Sequence, residues 1–204
     1  AKILFTSTSE VYGDPEVHPQ PESYRGSVNP IGIRACYDEG KRCAESLFYD
    51  FQRMHGLEIR VARLFNTYGP LMRSDDGRVV SNFICQSILD HPITMYGDGS
   101  QTRSFCHVND LIRGLQLLMN TESSILHPIN LGNPGEFTLL ELVNQIELFT
   151  EKKLQVQFLP LPPDDPKKRK PDISIAMQEL EWTPSISLKE GLKDTYEYFQ
   201  NQLL

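Results

Sequence analysis

The stretch from Cys36 to Gly56 constrains the fold most, because it reads as one amphipathic helix held between two apolar strands. Cys43, Ala44, Leu47, Phe48, Phe51 and Met54 recur at spacings of three and four residues, and Gly56 supplies the stop. Before it, Lys2–Thr6 is a short apolar strand that leads into the polar loop Thr8–Gly13. After it, Leu57–Phe65 carries Ile59, Val61 and Leu64 in the manner of a sheet strand. A strand, a phosphate-sized loop, a helix and a strand imply a βαβ unit with parallel strands. The expected class is α/β.

Further along, Asp14–Ile33 holds Pro15, Pro19, Pro21 and Pro30 and reads as a surface loop. Helices are expected at Val79–Asp90, with Phe83, Ile84 and Ile88 on one face, and at Val108–Asn120, with Leu111, Leu115, Leu118 and Met119 inward. Short strands are expected at Ile93–Tyr96, before the turn Gly97-Asp98-Gly99, at Pro128–Leu131 and at Leu154–Leu159. Thr138-Leu139-Leu140-Glu141 is a capping box that opens a helix to about Thr150. Pro160–Pro171 is proline-rich and charged, and helices at Ser174–Leu180 and Leu188–Leu203 close the chain. The expected organisation is the later part of a Rossmann-like parallel sheet over 1–70, then a smaller α/β substrate-binding lobe over 71–204 whose elements can return to the sheet. No Gly-x-Gly-x-x-Gly or Gly-x-x-Gly-x-x-Gly occurs, so the chain carries no dinucleotide fingerprint of its own. Ala1-Lys2-Ile3-Leu4-Phe5 opens directly as a strand, which reads as the continuation of something longer.

With 204 residues, 39% hydrophobic and 23% charged, the chain can bury a sizeable core and fits a soluble globular protein. No apolar run is long enough to span a bilayer, and no secretory signal stands at the start. A net charge of −7 argues against nucleic acid or an anionic membrane as partner. Cys36, Cys43, Cys85 and Cys106 form no Cys-x-x-Cys pair and no zinc-spaced cluster. They read as reduced thiols, mostly buried, and no metal is expected. The expected compartment is the cytoplasm, with the Golgi lumen as the alternative if an anchor precedes Ala1.

Chemistry enters with Tyr37 and Lys41, four residues apart on one helix face. An ammonium one turn from a phenol favours the phenolate, and a phenolate can take a proton from a sugar hydroxyl while hydride leaves the same carbon. Upstream stands Thr8-Ser9-Glu10-Val11-Tyr12-Gly13; downstream stand Arg63-x-x-Asn66-x-x-Gly69-Pro70 and Tyr96-Gly97-x-Gly99-x-Gln101-x-Arg103. Together these motifs resemble the extended short-chain dehydrogenase/reductases that act on nucleotide sugars, and within that family the UDP-glucuronate decarboxylases. The resemblance runs through nearly the whole chain. The family's glycine-rich amino-terminal half, which holds NAD, has no counterpart here.

The resemblance implies oxidation of the sugar at C4, loss of CO2 from the resulting β-keto acid, and re-reduction to UDP-xylose with NAD as resident cofactor. It implies that Tyr37 is the base, with Lys41 tuning it and bonding the nicotinamide ribose, and that Thr8 holds the C4 hydroxyl. Glu10 orients the sugar or relays protons. Related 4,6-dehydratases carry an aspartic acid where Ser9 stands, so that acid is absent. Asn66 and Arg103 are implied at the diphosphate, Tyr96 and Gln101 beside the uridine, and Thr67 and Arg73 near NAD. Arg169, in a basic run that otherwise reads as a solvated face, is implied to contact the sugar or its carboxylate; Arg63 reads as structural. The partners implied are a UDP-sugar and a second copy, through a helical bundle that includes Cys36–Gly56. A 4,6-dehydratase, an epimerase, or a UDP-sugar-binding fragment without turnover remain open as alternatives.

Overall fold

In the computed structural model, residues 1–122, 125–161 and 168–204 are described. The expected unit is present: β1 (Lys2–Thr8), α1 (Ala35–His55) and β2 (Glu58–Leu64), with β1 and β2 parallel and Lys2 opposite Glu58. Gly56 ends α1 in the left-handed conformation, φ 63°, which glycine adopts at no steric cost. β7 (Ile129–Leu131) joins the other side of β2 in parallel, Ala62 opposite Ile129. The order β1-β2-β7 puts β1 at one edge and draws the third strand from well beyond Pro70.

β1 runs two residues further than its apolar pattern, to Thr8. The chain then makes one 3₁₀ turn over Ser9–Tyr12. Gly13 leaves that turn at φ 64°, and a Cβ there would lie 2.0 Å from the Ser27 carbonyl oxygen, so only glycine lets the return strand of the loop pass.

The remaining elements are β3 (Thr67–Tyr68), α2 (Val79–Ile88), β4 (Ile93–Tyr96), β5 (Thr102–Ser104), β6 (Cys106–His107), α3 (Val108–Asn120), β8 (Glu136–Thr138), α4 (Leu139–Thr150), β9 (Val156–Leu159), α5 (Ser174–Leu180) and α6 (Leu188–Leu203). β3 pairs with β6 and β4 with β9, both in parallel, while β5 and β8 are antiparallel. α4 opens with the expected capping box, Thr138 with Glu141, and α6 opens with a second, Ser187 with Glu190. The expected basic run and proline-rich segment lie partly outside the described residues, at 162–167.

Two main cores result. One gathers Phe83, Ile84, Met95, Leu142, Ile146, Leu192 and Phe199 from α2, β4, α4 and α6. The other packs the sheet against α3, α5 and the fully buried Trp182, whose indole N–H donates to the Asp110 carbonyl at 2.9 Å. α1 is the exception to apolar-inside patterning. It buries Asp38 and Glu45, while Leu47, Phe51 and Met54 are 53%, 51% and 75% exposed, so its apolar stripe faces away from the sheet. Phe48 alone of that series stacks inward, on Phe5 with ring centroids 4.7 Å apart. The cysteines divide evenly: Cys85 and Cys106 are buried, Cys36 and Cys43 are exposed on α1, and all four are free. The expectation of mostly buried thiols is corrected accordingly, because α1 turns its thiol face outward.

Candidate active site

The carboxyl end of β1 delivers Thr6, Ser7 and Thr8 to a cleft of about 650 Å³, a volume suited to a small-molecule ligand. Ligands of open parallel sheets sit beyond such strand ends. Leu64 and Phe65 from the end of β2 extend the floor, and Arg78 and Val79 at the start of α2 form the far wall. Thr8 accepts the Glu10 backbone N–H at 3.2 Å, which fixes its side chain as the cap of the 3₁₀ turn.

α1 lies across this end of the sheet and brings Tyr37 and Lys41 onto the lining. Tyr37 is 48% exposed, so its phenol is open to a ligand rather than sunk in packing. The Lys41 ammonium donates to the Thr6 carbonyl at 2.9 Å and lies 5.0 Å from the Phe5 ring centroid and 5.9 Å from that of Tyr37. It therefore ties the helix to the strand end and stands beside the phenol as the spacing requires. Arg34, Lys41, Arg78 and Arg103 line the cleft against the one carboxylate of Glu10, among the described residues. An acidic chain thus keeps a local excess of cations at this place, as a diphosphate ligand needs.

Glu10 sits between two guanidinium groups. Arg34 Nη2 donates to its Oε2 at 2.6 Å and Arg169 Nη1 to its Oε1 at 2.9 Å. Arg169 is 2% exposed and also donates to Ser9 Oγ at 3.3 Å and to the Gly13 carbonyl at 3.1 Å, while Ser104 Oγ donates to its carbonyl at 2.6 Å. Burial pulls its pKa below the ordinary arginine value, and the Glu10 carboxylate opposes that pull. Arg169 thus reaches the site through Glu10 and does not itself line the cleft. The more exposed of Glu10's two guanidinium partners is Arg34, which the sequence reading passed over. Its signal was available: it stands three residues before Tyr37, at the start of the helix. Asp38 is buried on the same helix, and burial first, then Glu10, raises its carboxyl above the usual range against the pull of Arg34 and Arg169.

A buried polar chain holds these parts together. Glu45 pairs with Arg63 through Nε–Oε1 at 3.0 Å and Nη2–Oε2 at 2.7 Å, and accepts Ser7 Oγ at 2.5 Å. Arg63 also donates to Tyr12 Oη at 3.0 Å, and Tyr12 donates to Asn130 Oδ1 at 2.7 Å. Burial pushes the Tyr12 phenol up to about 12 despite Arg63, so it acts as a neutral donor. Arg63 is structural, as expected, although its partner is Glu45 on α1.

Of the other expected site residues, Asn66, Thr67 and Arg103 line the cleft, with Thr67 Oγ1 donating to the Phe65 carbonyl at 2.9 Å. Arg73 is exposed and paired with Asp75 at 2.8 Å, off the lining. Tyr96 and Gln101 stand together at the end of β4, where Gln101 Nε2 donates to the Tyr96 carbonyl, also off the lining. No group of His, Cys, Asp and Glu among the described residues is arranged to hold a metal. Tyr37, Lys41 and Thr67 share the lining of this cleft, and the sequence has no glycine-rich turn to cradle a dinucleotide pyrophosphate.

The chain is 57% identical over 204 residues to UDP-glucuronic acid decarboxylase 1 of Arabidopsis thaliana, covering 100% of this chain and 46% of that protein. It is 54% identical over 203 residues to UDP-glucuronic acid decarboxylase 1 of Danio rerio, covering 100% of this chain and 48% of that one. The chain thus spans about half the length of these curated relatives. Among solved structures, UDP-glucuronic acid 4-epimerase from Bacillus cereus, in complex with UDP-glucuronic acid and NAD, superposes with a TM-score of 0.88 at 31% identity, over 100% of this chain and 62% of that one. UDP-glucose 4-epimerase from Thermotoga maritima, with UDP-glucose, gives 0.91 at 29% identity, over 100% and 64%. The α/β fold is therefore the Rossmann-like one of nucleotide-sugar epimerases and dehydratases, and with residues 1–132 matching its model, the chain belongs to the NAD dependent epimerase/dehydratase family.

Proposed function

We propose that the chain carries the proton-transfer groups and the sugar site of a UDP-glucuronate decarboxylase, which turns UDP-glucuronate into UDP-xylose and CO2. The observation that carries this reading is the convergence of Tyr37, Lys41 and Thr8 on one cation-rich cleft at the end of the sheet. Thr8 and Tyr37 hold the C4 hydroxyl, and Tyr37 takes its proton as the general base. Bound NAD supplies hydride acceptance and return at that carbon. Lys41, tethered to Thr6, fixes the distance between helix and strand. With C4 a ketone, the carboxylate on C5 leaves as CO2 without further activation. Glu10 and Ser9 form the wall facing C5, with Arg169 behind Glu10; dehydratases place an acid where this chain has Ser9. Arg103 and Asn66 meet the diphosphate.

We further assign residues 1–70 to the cofactor-binding sheet and most of 71–204 to the sugar lobe, with β7 returning to the sheet. A second copy packs on the exposed apolar stripe of α1. Exposed free thiols at Cys36 and Cys43 fit a reducing cytoplasm, and no helix among the described residues is long and apolar enough to cross a membrane.

The test joins the chain behind the glycine-rich amino-terminal part of the Arabidopsis relative and supplies UDP-glucuronate and NAD. CO2 and UDP-xylose are expected; the 204 residues alone are expected to give none. Tyr37→Phe in the joined enzyme lowers the rate by at least about 100-fold. Formation of the C4 epimer without CO2, or an undiminished rate in Tyr37→Phe, overturns the assignment.

A further inference from the structure

Arg169 reaches the cleft by holding Glu10, so whatever fixes Arg169 also fixes the carboxylate at the reacting end. Its guanidinium donates to Glu10, to Ser9 Oγ and to the Gly13 carbonyl. Those bonds act at the tip of a long side chain with many rotamers, and the tip is set only where the backbone at its root is set too. Yet Arg169 lies in no helix or strand, so no ladder holds that backbone.

The peptide group that follows Arg169 is gripped from both sides by side chains. Ser104 Oγ donates to the Arg169 carbonyl at 2.6 Å, and the Lys170 N–H donates to Gln20 Oε1 at 2.9 Å. Both side chains are buried, Ser104 at 2% and Gln20 at 0% exposure. Buried polar side chains that are satisfied in this way impose one orientation on the peptide they hold.

Each of the two is anchored in its turn. Ser104 follows Arg103 on β5, and neighbours on a strand point to opposite sides. Arg103 lines the cleft while Ser104 turns back to the Arg169 segment. Gln20 lies in the proline-bearing stretch that the sequence marks as a surface loop, and it is buried there because its backbone joins the same segment. Its N–H donates to the Lys170 carbonyl at 2.9 Å, and its carbonyl accepts the Asp172 N–H at 3.0 Å and Asn130 Nδ2 at 2.9 Å. Its amide nitrogen donates to the Val17 carbonyl at 2.8 Å. Asn130, on β7 of the sheet, also donates to the Asp172 carbonyl at 3.0 Å. Backbone bonds thus hold residues 170 and 172, and the peptide between 169 and 170 is left to the side chains of Ser104 and Gln20.

We propose that Ser104 and Gln20 are positioning residues that place Arg169 behind Glu10, by gripping the peptide group between Arg169 and Lys170. Neither lines the cleft; both act through Arg169 and, through it, on Glu10. β5 then serves both ends of the substrate, the diphosphate through Arg103 and the acid end of the sugar through Ser104. The inference rests on the decarboxylase reading and adds to it a role for two residues outside the cleft.

The test uses the joined, catalytically complete enzyme. Ser104→Ala lowers kcat by about tenfold, the effect of leaving a buried carbonyl unpaired, and leaves the affinity for UDP unchanged. In an Arg169→Lys background the same substitution costs under about twofold, because residues that act through one group are not additive. A purely structural role predicts the opposite, an equal loss in both backgrounds. Independently of turnover, crystal structures with UDP bound read the geometry: the Arg169 Nη1 to Glu10 Oε1 distance, 2.9 Å in the unaltered chain, opens beyond about 3.5 Å in Ser104→Ala. If Ser104→Ala does not fold, Gln20→Met, which keeps the backbone bonds of residue 20, is read for the same quantities. Wild-type kcat in the variant, an equal loss in the Arg169→Lys background, or Arg169 still seated on Glu10 overturns the positioning role while CO2 release stands. Failure of the unaltered joined enzyme to release CO2 overturns the underlying reaction instead.

Discussion

Replacing Glu45 with alanine removes the counter-charge of Arg63 at the point where α1 docks on the sheet. The two side chains are 9% and 13% exposed and joined by two hydrogen bonds. Without the carboxylate, the guanidinium stays buried with only the Tyr12 hydroxyl and the Glu22 carbonyl for partners. Breaking one side of a buried pair costs about 3–5 kcal/mol. For a chain of this size each kcal/mol moves Tm by about 2–4 °C, so a fall of about 6–20 °C is expected. Thermal unfolding followed by circular dichroism at neutral pH measures it. The double variant Glu45→Met/Arg63→Met exchanges both charges for apolar chains and recovers most of the loss, because no orphan charge remains. A fall of under about 2 °C in Glu45→Ala would refute the reasoning. So would a double variant no more stable than the single one, since the cost would then lie in packing.

Burial holds the Glu22 carboxyl above its usual range, although the Asn130 backbone N–H pulls the other way. A raised folded-state pKa gives stability that is present below the unfolded value of about 4.3 and is lost as pH climbs through the folded value. Glu22→Gln keeps an acceptor for Asn130 and never ionises, so its urea midpoint is expected to gain on wild type as pH rises from about 4 to neutral; a gap constant over that range sinks the idea. Arg103→Ala is expected to weaken UDP binding by about tenfold or more in titration calorimetry, the value of a charge-assisted hydrogen bond, while Arg169→Ala leaves UDP affinity unchanged and lowers turnover. Equal weakening by both would move the buried arginine to the diphosphate.

The long elements were legible because period and punctuation agreed. α1 runs into its glycine stop, and α4 begins at its capping box, within a residue or two of the sequence reading. β3, β5, β6 and β8 were not legible, since a ladder of two or three residues has no period to detect. The strand-to-helix-to-strand order gave the parallel sheet, but it could not show that β7 would be its third member. For the site, Tyr37 and Lys41 could be read from local spacing, whereas Thr8 and Glu10 came only through the family resemblance; all four line one cleft. The separation of Arg34 and Arg169 into an exposed and a buried partner of Glu10 could not, because it depends on a segment well over a hundred residues away folding back behind Ser9. The burial of Asp38 and Glu45 ran against polarity; Arg63 and Ser7 across the interface account for Glu45, while Asp38 Oδ1 has no hydrogen-bond partner among the described residues.

β1 is paired along one side only among the described residues, and its backbone N–H and C=O groups on the other side form a straight row seven residues long. Such a margin is a template for any extended peptide that meets it, another molecule of the same chain included. Purified by itself at high concentration, the polypeptide is therefore prone to self-templated clumping through Lys2–Thr8. A short extended peptide that docks on that margin would act as a stopper and keep the material dispersed.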